Sequence, residues 1–108
     1  MSEVHDPSIA RLLVEARLQF ASSLPAKTAE LEALLAREAW DELRRAAHKL
    51  RGSSGTYGFA EVSAAAGAIE EALLAASLAP GAEARKLLAE QARRASVEAA
   101  RAADGGNA

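Results

Sequence analysis

The chain contains no cysteine, which excludes a disulfide scaffold and any cysteine-ligated metal. Aromatic residues make up only 4% of it. β-branched residues are scarce, and no alternating run is present that would make a strand. No apolar run approaches the roughly 20 residues of a membrane span. The N-terminus shows no basic segment followed by an apolar one, as a secretory signal would. Neither sign of charge dominates: the formal net charge of −2 argues against a general nucleic-acid binder. The default expectation is therefore a cytoplasmic domain with no membrane partner. Its 108 residues suit a single core.

What is present is alanine. Half of the residues are hydrophobic, and small side chains dominate that class, which lets helices approach closely around a modest core. After an arm from Met1 to Pro7 that includes a solvated His5, Asp6 or Ser8 is placed to cap a helix. Pro7 suits its first turn. That helix carries Ile9, Leu12, Leu13, Ala16 and Phe20 at helical spacing. Ser22-Ser23-Leu24-Pro25 is expected to interrupt it, with a restart near Pro25 that turns Leu31, Leu34 and Leu35 inward. A break at Arg37 to Ala39 leads to a helix from Trp40 to about Thr56, and Trp40 is the expected end anchor of the core. Tyr57-Gly58 turns the chain. A further helix then buries Phe59, Val62, Ala66, Ile69, Leu73 and Ala76. Ala79-Pro80-Gly81 stops it, and a last helix from about Ala82 to Ala102 lines up Leu88, Ala92, Ala95, Ala99 and Ala102. Short connections imply antiparallel neighbours. The expected fold is all-α: an antiparallel up-down four-helix bundle with a short or broken N-terminal helix. It forms one domain over residues 1–108 with flexible ends at about 1–7 and 103–108.

The candidate site lies in the second helix. Trp40, Leu43, Ala47, Leu50 and the small Ser54 form its inner stripe, and His48 falls just off that stripe. Arg44, Arg51, Gly52 and Gly55 share the histidine's face. A glycine inside a helix costs about 1 kcal/mol relative to alanine, so two beside one imidazole call for a reason. They leave the ring uncovered for a large partner. An exposed imidazole among guanidinium groups suits a nucleophile that holds a phosphoryl group.

Ala47-His48-Lys49-Leu50-Arg51-Gly52-Ser53-Ser54, followed by Gly58, resembles the core motif of the histidine phosphotransfer (HPt) domains of two-component phosphorelays. Arg51 stands where that family usually has lysine. The resemblance implies that His48 accepts a phosphoryl group from a receiver-domain aspartate or a sensor kinase. It then passes the group to the aspartate of a response-regulator receiver. Folding the chain back at Tyr57 to Phe59 brings Gly67, Glu70 and Glu71 level with His48, since rise per residue is equal in both helices. Glu70 is then placed to accept Nδ1–H and leave Nε2 as the nucleophile, and HPt domains carry a glutamate or glutamine at this position. Arg51 is the best-placed cation for phosphoryl oxygens, its planar fork able to hold two of them. Gly52 supplies access, Arg44 is a second cation, and Lys49 points further round, where it can steer an acidic partner. The resemblance further implies a phosphocarrier with no kinase or ATP-binding site and no cofactor of its own. Magnesium comes with the receiver. Receiver domains are the expected partners, with a hybrid sensor kinase as a further one, and the carrier is expected to be monomeric.

Other readings compete. Gly52-x-x-Gly55-x-x-Gly58 follows a helix and lacks the Lys-Ser/Thr pair of a P-loop. Two distant histidines, with no His-Glu-x-x-His, do not build a zinc or di-iron site. A helix-turn-helix reading fails because no Lys or Arg occurs between Arg51 and Arg85, where base-reading residues belong. A structural alanine-rich interaction bundle, or a receiver-binding relic without transfer, is the remaining alternative. An intact His48 speaks against the relic and only weakly against the structural bundle.

Overall fold

A computed structural model describes residues 7–105. The arm with His5 and Asp6, and the tail at Gly106-Asn107, lie outside the described residues. The fold is an all-α bundle of four helices: α1 (Pro7–Ala36), α2 (Trp40–Thr56), α3 (Ala60–Ala75) and α4 (Ala82–Gly105). Helix α2 packs closely on α3, α3 on α4 and α4 on α1, while α1 and α2 meet along a much shorter line. Alternating hydrophobic steps dictate this layout. Leu24, Leu31 and Leu34 of α1 meet Leu43, Ala47 and Leu50 of α2, Val62, Ala66, Ile69 and Leu73 of α3, and Leu88, Ala92, Ala95 and Ala99 of α4 in one buried cluster. Each buried leucine or isoleucine contributes about 1.5–3 kcal/mol. The alanines contribute little area and instead let the helix axes approach.

Three connections use one device. Glu38, Gly58 and Ser77 each adopt positive φ just past a helix end. In each turn a backbone N–H reaches back to the last helical turn: Ala39 to the Leu34 carbonyl, Phe59 to Ser54 and Leu78 to Leu73, at 3.0, 2.8 and 2.8 Å. This is the Schellman arrangement. Only the middle turn has the glycine that signals it. Leu78 also has positive φ, which bends the chain toward Pro80. Helix α4 continues to Gly105, three residues beyond its expected end.

Two expectations for the first helix need correction. Pro25 does not break it: α1 is one helix of 30 residues with Pro25 inside. Pro25 lies on the exposed side, while Ala21, Leu24 and Thr28 around it are buried in the bundle. A break there would withdraw all three, and that packing outweighs the one backbone bond that proline removes. Nearby hydroxyls serve the local carbonyls: Ser22 donates to Leu18 at 3.0 Å, Ser23 to Phe20 at 2.7 Å and Thr28 to Leu24 at 3.1 Å. Second, Ile9, Leu12 and Leu13 are not core residues. They are more than half exposed, because α1 extends past the end of the bundle. Ala16 and Phe20, next along the stripe, are half-buried.

Aromatic groups close both ends. Trp40 is half-buried beneath the Arg85 guanidinium, 5.1 Å from its ring. At the other end Phe20 stacks on Tyr57 at 4.6 Å and on Phe59 at 5.9 Å. Arg17 covers Phe59 at 4.2 Å and donates to the Tyr57 carbonyl at 3.0 Å.

Candidate functional site

The Tyr57–Phe59 turn fixes the register of α2 against α3. Gly55 faces Ser63, Arg51 lies over Gly67, and His48 meets Glu70. Each of these pairs lies equally far before and after Phe59, as two helices of equal rise require. Ser63 secures the register by donating its hydroxyl to the Arg51 carbonyl at 2.9 Å. A Cβ at Gly55 would stand 3.4 Å from the Ser63 hydroxyl, an ordinary contact.

His48 is held at one edge and open at the other. Its side chain is 70% exposed, while that of Glu70 is 9% exposed. Nδ1 of His48 lies 2.7 Å from Oε2 of Glu70. Burial pushes the Glu70 carboxyl up, but hydrogen bonds from His48 and Arg51, and then their charges, outweigh it. The carboxyl is held below the ordinary glutamate value. An ionised carboxylate only accepts, so the shared proton sits on Nδ1 and the lone pair of a neutral ring is on Nε2. A buried carboxylate thus sets the tautomer of an exposed imidazole.

Arg51 joins the same carboxylate. Its Nη1 donates to Oε1 of Glu70 at 3.2 Å and lies 3.7 Å from Oε2 of Glu71. Its stem crosses Gly67, where a Cβ would stand 3.2 Å from the Arg51 Nε and 3.3 Å from its Cδ. Gly67 is buried and leaves the seat in which the guanidinium lies. The other terminal nitrogen, Nη2, makes no hydrogen bond among the described residues. Gly52 is exposed, and an added Cβ would meet nothing within 4 Å. The surface beside His48 is therefore open.

The structure brings His48, Arg51 and Glu70 together, with Gly52 exposed one helical turn past His48. Arg44 and Lys49 do not join them. Arg44 is engaged one turn earlier by Asp41, at 3.3 Å, and makes no bond to His48 or Glu70. Lys49 turns to an open groove of ≈ 380 Å³ between α1 and α2, lined also by Phe20, Lys27, Ala46 and Leu50. Helical spacing places Arg44 on the histidine's face, but an acidic residue in the first turn of the same helix captures it. Sequence reasoning missed Gly67 as the seat for Arg51 and Glu71 as its second carboxylate. The signal was there in part, since both are level with His48 by simple counting.

The structure is an all-α bundle that presents an exposed histidine, held by a buried carboxylate, on its second helix. The family model of the Hpt domain matches residues 15–103, and the chain belongs to the Hpt family. Hpt domains serve histidine phosphotransfer in phosphorelays and interact with receiver domains. No curated protein and no solved structure matches the chain. Among the described residues no helix is long and apolar enough to cross a membrane.

Proposed function

We propose that this chain is a cytoplasmic phosphocarrier in which His48 Nε2 is the phosphoacceptor. It takes the group from a receiver-domain aspartate, or from a hybrid sensor kinase, and passes it to the aspartate of another receiver. The observation that carries this reading is the 2.7 Å contact between Nδ1 and the buried Glu70 on a ring whose other edge is open. In the forward step the Nε2 lone pair attacks the phosphorus of the aspartyl phosphate. A P–N bond forms as the P–O bond breaks, and the aspartate leaves as a carboxylate. The ring becomes cationic, its Nδ1–H facing Glu70, so the carboxylate stabilises the charge as it develops. Arg51 keeps one nitrogen on Glu70 and offers Nη2 to an equatorial phosphoryl oxygen. The receiver brings the magnesium ion, and the carrier needs no cofactor of its own.

The test mixes the chain with radiolabelled, phosphorylated receiver domains and analyses the product for acid-labile, base-stable phosphate. Label on the wild type and none on His48→Gln, with unchanged helicity, is the expected result. A His48→Gln variant that still takes up acid-labile phosphate places the nucleophile elsewhere. Absence of label from a panel of receivers favours a structural bundle or a receiver-binding relic.

A further inference from the structure

Glu71 stands beside the site without touching the histidine. It follows the buried Glu70 in α3, yet its side chain is 71% exposed, and its Oε2 lies 3.7 Å from Nη1 of Arg51. It makes no other ion pair or hydrogen bond among the described residues. The same Nη1 donates to Oε1 of Glu70 at 3.2 Å, so one guanidinium is divided between two carboxylates. An open groove of ≈ 460 Å³ between α2 and α3 runs from this pair toward Gly58. Its walls include Gly55, Ser63, Ala64 and Gly67, and Arg51 and Glu71 are its only charged residues. No second cation lines it to take over from Arg51. A dianionic phosphoryl group on Nε2 therefore meets an arginine that is already engaged, next to an exposed negative charge.

We propose that Glu71 competes with the phosphoryl group for Arg51 and so weakens its retention on His48, keeping the group transferable. This rests on the phosphocarrier reading of the site. Glu71 is a positioning residue that acts through Arg51. The two carboxylates divide the work: Glu70 meets the ring at Nδ1, whereas Glu71 bears on the guanidinium alone. Before transfer, the attraction between Glu71 and Arg51 stabilises the unphosphorylated carrier. After transfer, either Arg51 turns to the phosphoryl oxygens and that attraction is lost, or it stays and Glu71 repels the new charge. Both cases disfavour the phosphorylated form, so removing the charge at position 71 favours it. The Arg51 side chain is 47% exposed and water screens the pair. The effect on the equilibrium constant is therefore about two- to fivefold.

The experiment measures phosphoryl exchange between the whole chain and N-phosphoimidazole, a donor too small to need a docking surface. The Nε2 lone pair attacks phosphorus, and the P–N bond to the protonated donor ring breaks. The bond electrons leave with neutral imidazole, and the positive charge passes to the His48 ring. The rates of labelling, and of its reversal by added imidazole, followed by phosphorus NMR, give the equilibrium constant. Glu71→Gln is expected to raise that constant about two- to fivefold with unchanged helicity, and the gain should shrink at high salt. A substitution that merely loosened the fold would not raise it. In an Arg51→Gln background the same substitution should lose most of its effect. A gain undiminished without Arg51 overturns the proposal. Labelled wild type with a constant that Glu71→Gln leaves unmoved or lowers overturns this proposal alone. Wild type that takes no label at His48 removes the phosphocarrier reading, and the proposal falls with it.

Discussion

Replacing Glu70 by alanine isolates the part of the chemistry that the buried carboxylate supplies. In the wild type Oε2 is 2.7 Å from Nδ1 and Oε1 is 3.2 Å from Arg51. A hydrogen bond to a charged group, with one partner buried, is worth about 1.5–3 kcal/mol. Only the share that grows as the ring becomes cationic accelerates transfer. If most of it does, Glu70→Ala slows phosphorylation by about 10- to 100-fold. Glu70→Gln retains an acceptor for Nδ1–H and loses the charge, so its rate should fall between alanine and wild type. The assay is the rate of phosphohistidine formation from phosphoramidate, a donor small enough to need no docking surface. Circular dichroism on the same variants should show intact helices, because Arg51 keeps Glu71 as a partner. Wild-type rates in Glu70→Ala would refute the reasoning, leaving Glu70 a structural ion-pair partner. Equal losses in alanine and glutamine variants would assign the effect to charge alone.

Gly67→Ala should separate stability from chemistry. Alanine gains up to about 1 kcal/mol of helix propensity, but its Cβ presses on the Arg51 stem at 3.2 Å. Denaturant melts should show equal or greater stability while the phosphohistidine lifetime or transfer rate changes; a lifetime and rate identical to wild type would remove Gly67 from the site. Gly52→Gln should block transfer from a phosphorylated receiver while labelling by phosphoramidate continues, because the new side chain projects into open space beside His48. Normal receiver transfer would show that Gly52 does not provide access. The lowered Glu70 carboxyl predicts a pH dependence of stability. Its stabilisation is present above the unfolded glutamate value, about 4.3, and is lost as pH falls through the lower folded one. The stability difference between wild type and Glu70→Gln at pH 7 should therefore shrink in acid, as urea melts at each pH would show.

Much of this was legible in the chain. Helical spacing placed Leu43, Ala47, Leu50, Val62, Ile69 and Leu73 in the core, and all are buried. The turn at Tyr57-Gly58 and the fixed helical rise together pair His48 with Glu70. Local periodicity and chain reversal suffice for that, because both follow from backbone geometry alone. Other features required the assembled bundle. Pro25 reads locally as a break, yet α1 runs through it since the residues around it are held by other helices. Ile9, Leu12 and Leu13 have the same spacing as a core stripe, but among the described residues no helix extends far enough to cover them. Arg44 and Arg51 share the histidine's face by spacing, with Arg51 the better placed, and the structure adds which carboxylate each one reaches. Sequence determined the helices, their order and the histidine's partner. Only the tertiary structure decided where the bundle ends and which carboxylate each arginine reaches, since both depend on how the assembled side chains meet.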